Sequence, residues 1–383
     1  MGEARRGIHT FLLPRKIVFG CGSLARLGQE VASVGRKALL VTGRSAMRKS
    51  GALSVAAGSL EKAGVAICHF NGATPDPTVG EADAARDLAR REGCDVVVGL
   101  GGGSALDVAK AAAGMFHREG SVVDVQRGDV EPRPGIPFVA APTTAGTGSE
   151  VTKNAVLTDP ERKVKASARC DEWTAAVAIV DPELLMSLPA DLTAVSGMDA
   201  LTHAIESLFS AGGTATTEAL ALRGAQLMLS GLPRAFGDPR DLSARSDCAL
   251  GSLTAGVAFA NSGLGAVHAL AHPLGVLCGV SHGLACAIVL PHVLAFNADA
   301  AKAKMRRLAD ATGVGPGGNA EAVIETIDSL LRRLGLPRRL RDVGVREDVL
   351  ATVADQAAGT SSLRHNPRPA SREDLSAVLR QAL

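Results

Sequence analysis

Residues 95–110, DVVVGLGGGSALDVAK, decide the fold. Val96 to Val98 make a fully apolar run, Gly99 and Gly101 to Gly103 break it, and Ser104 stands in N-cap position with Asp107 three residues on. That is the order of a buried strand, a tight turn and a helix start. Successive glycines let the backbone approach a ligand closely, and the free N–H groups of a helix N-terminus favour an anion. The stretch serves two readings equally well, a cradle for a pyrophosphate or a strand-to-helix turn capped by Ser104.

Outward from this stretch, KALLVTG (37–43), VAICHF (65–70), PFVAAPTT (137–144) and AAVAIVD (175–181) are further short runs that read as buried strands, several of them followed by Gly-rich or polar turns and helical patterns. Strands alternating with helices predict an α/β domain with a parallel sheet. IVFGCGSLARLG (17–28) carries a superficial dinucleotide fingerprint but has no acidic residue about 20 positions on, so it reads as a turn between an edge strand and a helix. APTTAGTGSEVT (141–152) follows another strand and offers Thr143, Thr144, Thr147 and Ser149 as small donors. Two such loops after two parallel strands converge at the carboxyl edge of one sheet, which tips the balance toward a dinucleotide. After about Pro189 the segments lengthen and Ala and Leu recur at helical spacing. The expected division is an α/β dinucleotide-binding domain over residues 1–188 and an all-helical domain over residues 189–383.

With 41 basic and 39 acidic side chains in 383 residues and no long basic run, the chain has no electrostatic footprint for nucleic acid or an anionic membrane. A small-molecule partner is expected. The seven cysteines are scattered and include no C-x-x-C pair, which predicts neither a disulfide framework nor a cysteine zinc site. No signal peptide or membrane-spanning run is read, so a reducing, cytoplasmic setting is the expectation.

Four of the nine histidines, His268, His272, His282 and His292, fall within 25 residues of one apolar stretch. Ahead of them, MDALTHAIESL places Asp199 and His203 four apart, one helical turn from each other. A carboxylate with His203, His268 and His282 suits Fe²⁺ or Zn²⁺, since imidazole serves both and no thiolate spacing competes. Burying so many ionisable groups without a shared charge would be costly.

GLGGGSALDVAK, PTTAGTGSEVT, GMDALTHAIE, AFANSGLGAVHALAHPLG and SHGLACAIVLPHV, in this order, resemble the group III, iron-containing alcohol dehydrogenases, and the likeness runs from residue 14 to the C-terminus. The resemblance implies a dehydroquinate synthase-like architecture, with the metal in a cleft between an α/β dinucleotide-binding domain and an all-helical domain. It assigns the metal to Asp199, His203, His268 and His282, with Fe²⁺ expected and Zn²⁺ the other candidate. His272 takes the position of a residue near the nicotinamide and becomes the candidate proton relay, whereas His292 is expected to be structural. For the cofactor it implies Gly101, Gly102, Gly103, Ser104, Asp107, Thr143, Thr144, Thr147, Lys165 and Leu184. The implied chemistry is reversible hydride transfer between a small primary alcohol or diol and its aldehyde, by a homo-oligomer, dimer or larger.

Two departures bear on the cofactor. Many relatives carry an acidic residue at the end of the second strand, where this chain has Gly43 followed by Arg44, Ser45, Arg48 and Lys49. Loss of the carboxylate and gain of positive charge predict NADP(H) in preference to NAD(H). Asp76, in TPDPT, stands where relatives often have Asn and is a further nucleotide contact to test.

Rival functions are weighed on the same residues. Enzymes that use a catalytic tyrosine, such as short-chain dehydrogenases and aldo-keto reductases, are excluded because the chain has no tyrosine. A dehydroquinate-synthase-like lyase should line its helical cleft with phosphate-binding basic residues, yet residues 251–291 contain no Lys or Arg. A non-catalytic metal or nucleotide binding protein, or a maleylacetate-type reductase, is disfavoured by the completeness of the ligand set. Phe259, Leu264 and Leu277 suggest an apolar surround suited to short aliphatic substrates.

Overall fold

The computed structural model describes residues 8–314 and 319–383, which divide into two compact units, one of Leu12–Leu188 and one of Pro189–Leu383 together with residues 8–11.

The first unit is built on a six-stranded sheet of β1 (Lys16–Phe19), β2 (Lys37–Gly43), β3 (Ala66–Ala73), β4 (Val96–Gly101), β5 (Phe138–Pro142) and β8 (Val177–Val180), in the spatial order β1-β8-β5-β4-β2-β3. Every pairing in it is parallel. The central strands are apolar throughout rather than alternating because helices cover both faces. Leu39, Val41 and Val97 enter one core, with Ala105 and Leu106 of the Gly103–Gly114 helix; Ala38, Leu40, Val96 and Val98 enter the other, with Ala56 and Leu60 of the Ala52–Lys62 helix. The helices that follow β4 and β2 therefore lie on opposite faces of adjacent strands. That reversal makes a topological switch point at the carboxyl ends of β2 and β4, where Gly43 and Gly101 end their strands. As read from the sequence, β1 is an edge strand.

One element escaped the sequence reading. β6 (Asn154–Asp159) and β7 (Val164–Arg169) form an antiparallel hairpin outside the main sheet. Asp159 makes its turn, accepting from the backbone N–H groups of Glu161 and Arg162.

The second unit is helical. Its helices Ala190–Phe209, Leu242–Ser262, Ala266–Cys278 and His282–Asn297 carry the histidines and their neighbours. Every residue from Gly197 to Phe209 is buried, so the Asp199 helix is surrounded by protein. Small residues allow this packing: a Cβ at Gly283 would stand 2.2 Å from the Val195 carbonyl oxygen, and one at Gly197 would stand 2.3 Å from Leu232 Cδ1. Among the described residues, no single helix is long and apolar enough to cross a membrane.

Candidate active site

The two glycine-containing loops of the first unit meet at the sheet edge. Gly101 pairs with Pro142, and the Thr143 N–H donates to the Gly101 carbonyl at 2.9 Å. A Cβ at Gly102 would touch Thr144 Cγ2 at 3.3 Å, and one at Gly103 would stand 2.6 Å from Thr147 Cγ2. The helix begins at Gly103 with Gly102 as its N-cap and no side-chain cap, so Ser104 lies inside the first turn rather than at the cap. The turn capped by Ser104 is thus not what forms. Gly102 adopts an extended backbone and leaves the helix N-terminus without a side-chain acceptor, an arrangement that suits an anionic ligand.

Asp107 points into the protein. Its Oδ1 accepts from the Ser149 hydroxyl at 2.6 Å and its Oδ2 from the Val156 N–H at 3.2 Å, joining helix, loop and hairpin. Lys110, unremarked in the sequence, is the anchor of this junction. Fully buried, its Nζ donates to the carbonyls of Ser149 and Asn154, both at 2.7 Å, and to the hydroxyls of Ser149 and Thr152. Burial lowers its pKa to about 8 despite the opposing charges of Asp107 and Glu150. The available signal was its i+3 spacing from Asp107.

At the end of β2, Gly43 has room for a side chain, the nearest neighbour of a Cβ being the Ala73 carbonyl oxygen at 3.6 Å. Arg44, Ser45, Arg48 and Lys49 are exposed beyond it, and Thr42 Oγ1 is hydrogen-bonded to His69 Nε2 at 2.9 Å. Asp76 and Lys165 form an ion pair, with Asp76 in a left-handed backbone conformation at φ +52°. Leu184 packs, partly buried, against the β2–β4 core.

In the helical unit, Asp199 Oδ1 is buried and accepts no hydrogen bond. Three imidazole nitrogens face it: His268 Nε2 at 3.5 Å, His282 Nε2 at 3.6 Å and His203 Nε2 at 3.7 Å. These separations are long for hydrogen bonds, but donors about 2.1 Å from a tetrahedral ion lie about 3.4 Å from each other. The residues therefore fit a divalent metal. Burial disfavours ionised Asp199, yet His203, His268 and His282 outweigh it and hold the carboxyl well below its usual range. The pocket thus favours positive charge, which a metal supplies.

Neighbouring residues fix the imidazoles. His268 Nδ1 donates to Glu206 Oε2 at 2.6 Å, and Glu206 Oε1 accepts from the Val267 N–H at 2.7 Å. That tautomer turns His268 Nε2 toward Asp199. Phe259 stacks on His203 with ring centroids 4.3 Å apart, and the His272 ring lies 5.1 Å from that of His282. His292 is partly buried farther along the His282 helix.

The reading that no thiolate competes is corrected here. Cys286 is fully buried, and its Sγ stands 3.9 Å from His268 Nε2 and 3.8 Å from His282 Nε2. It lies one turn after His282, the same spacing that marked Asp199 and His203, so the signal was present. Glu206 was also missed; its partner is 62 positions away, a contact that helix packing creates.

One chain thus combines a parallel sheet whose glycine loops meet at one edge with a buried carboxylate faced by three imidazoles. Residues 14–182 match the family described as iron-containing alcohol dehydrogenase, and residues 193–383 match the C-terminal region of the Fe-containing alcohol dehydrogenase family. The chain is 35% identical to the NAD-dependent methanol dehydrogenase of Bacillus methanolicus, covering 98% of this chain and 100% of that one. It is 37% identical to the 1,3-propanediol dehydrogenase of Klebsiella pneumoniae, covering 97% and 98%. A crystal structure of 1,3-propanediol oxidoreductase superposes with a TM-score of 0.94 at 36% identity, over 98% of this chain and 100% of that one. The chain belongs to the iron-containing alcohol dehydrogenase family. It is an oxidoreductase acting on small alcohols and their aldehydes.

Proposed function

We propose that Asp199, His203, His268 and His282 hold the divalent metal of this dehydrogenase, iron in the first instance. One observation carries the reading: a buried carboxylate oxygen without a hydrogen bond, faced by three imidazole nitrogens at 3.5–3.7 Å. A metal bound there supplies Lewis acidity toward the substrate oxygen during hydride transfer with the nicotinamide. Glu206 orients His268, and Phe259 covers His203 with an apolar face. His272, ring to ring with His282, is the proposed relay for the hydroxyl proton. Metal analysis tests the assignment: Asp199→Ala and His268→Ala should lose the ion and aldehyde reduction together. Variants that retain a full metal complement would contradict it.

For the cofactor, the reading places a dinucleotide on Gly101, Gly102, Gly103 and Ser104, with Thr143, Thr144 and Thr147 beside them and Asp76, Lys165 and Leu184 as further contacts. Asp107 supports the loop from within. The similar Bacillus methanolicus protein is named NAD-dependent. In this chain, open space at Gly43 and the exposed Arg44, Ser45, Arg48 and Lys49 favour a 2′-phosphate and hence NADP(H). Primary alcohols, diols and aldehydes of short chain are the substrate class. A homo-oligomer, dimer or larger, in the cytoplasm completes the proposal. Seven scattered cysteines without a C-x-x-C pair support a reducing compartment, and light scattering on purified protein tests the assembly.

A further inference from the structure

The helical unit repeats one spacing at the same site. Asp199 and His203 are a turn apart on one helix, and His282 and Cys286 are a turn apart on another. Donor atoms of Asp199, His268, His282 and Cys286 all lie within 4.8 Å of one another. The thiol's two contacts, 3.8 and 3.9 Å, are at the outer limit for a sulfur hydrogen bond, and both nitrogens also face Asp199 Oδ1. With metal–nitrogen and metal–sulfur bonds of about 2.1 and about 2.3 Å, a nitrogen–sulfur separation near 3.8 Å corresponds to an angle of roughly 120° at the ion. A single ion can therefore reach the sulfur and both imidazoles.

We propose that Cys286 is a metal donor in this chain, added to the aspartate and histidine set, and that it tilts the site toward Zn²⁺ over Fe²⁺. The inference rests on the metal-site reading above. Thiolate is a soft ligand and shifts selection toward zinc, whereas carboxylate and imidazole alone serve both ions. As the metal–sulfur bond forms, the thiol proton leaves to the buffer, so metal binding releases one more proton in the parent than in Cys286→Ser.

Cobalt titration of the metal-free, full-length protein under anaerobic conditions tests this, with Cys286→Ser, Cys286→Ala and Asp199→Ala in parallel. The expected result is a sulfur-to-cobalt charge-transfer absorption in the near ultraviolet that saturates at one equivalent in the parent. In both Cys286 variants cobalt still binds and that absorption is gone. Competition between Zn²⁺ and Fe²⁺, read by elemental analysis, should shift toward iron by about tenfold or more in the variants. Zinc-edge X-ray absorption of the unmutated protein needs no variant to fold, and should show one sulfur neighbour at about 2.3 Å. Cobalt bound without the charge-transfer band, a band that survives Cys286→Ser, or a zinc shell of nitrogen and oxygen only would overturn the Cys286 assignment while leaving the Asp199 site standing. If the parent binds no more cobalt than Asp199→Ala, the metal-site reading itself fails and takes this one with it.

Discussion

His268 Nδ1 and Glu206 Oε2 lie 2.6 Å apart, both buried. A carboxylate behind a ligating imidazole fixes its tautomer and ring orientation, and losing such a partner costs about 10–100-fold in metal affinity. Glu206→Gln should therefore weaken metal binding by that factor while Asp199 and the three histidines remain. Competition against a chromophoric chelator measures it, with circular dichroism to establish the fold. Unchanged affinity would mean that packing alone orients His268.

Gly283 sits against Val195, where a Cβ would be 2.2 Å from a backbone oxygen and 3.5 Å from Asp199 Cβ. Because backbone cannot swing away as a side-chain tip can, Gly283→Ala must push the His282 helix from the Asp199 helix. Overpacking of this kind costs about 1–3 kcal/mol, and we expect a lower Tm together with reduced metal content. Gly58→Ala is the control: it lies in a helix with nothing within 4 Å of a Cβ, and should leave stability equal or raise it by about 0.4–1 kcal/mol.

At the sheet edge, Gly43→Asp tests coenzyme choice. A Cβ there meets nothing closer than the Ala73 carbonyl oxygen at 3.6 Å, so folding should be preserved. A carboxylate there repels a 2′-phosphate and can accept from a ribose hydroxyl. The ratio of kcat/KM for NADPH to that for NADH should drop at least about tenfold, equivalent to ~1.4 kcal/mol. A ratio that does not move would place the adenosine ribose elsewhere.

Glu150 gives a pH dependence with a definite sign. Burial pushes its carboxyl up to about 7, against the pull of its own backbone N–H and of Lys110. Between the unfolded value of about 4.3 and that raised value the native state holds a proton the unfolded chain has released, so stability falls as pH rises through the window. Glu150→Gln removes the titration. Thermal unfolding at about pH 5 and about pH 7.5 should show a decline in the parent, on the order of 2 kcal/mol, that the variant flattens. Parallel curves for the two proteins would rule it out.

The strand of residues 96–101 and its neighbours were legible because a parallel sheet covered on both faces writes itself as unbroken apolar runs. The β6–β7 hairpin was not, since its alternation is short and its partly exposed positions carry polar residues such as Asn154 and Lys165. Ser104 reads as a cap from composition, but Gly102 takes the extended backbone first and the helix starts two residues earlier than a Ser104 cap would have it. Asp199 and His203 declare themselves by helical spacing. Glu206 and Cys286 depend on which helices pack together, and that is set by contacts such as Gly283 against Val195 that no local pattern encodes.

The most direct test of the account is the rate of aldehyde reduction by protein stripped of metal and reloaded anaerobically with Fe²⁺ or Zn²⁺, with NADPH and NADH in parallel and Asp199→Ala beside the parent. Activity that vanishes on stripping, returns with metal in the parent and never returns in Asp199→Ala is the predicted result. Reduction that persists in the metal-free parent, or that metal restores equally in Asp199→Ala, would contradict it.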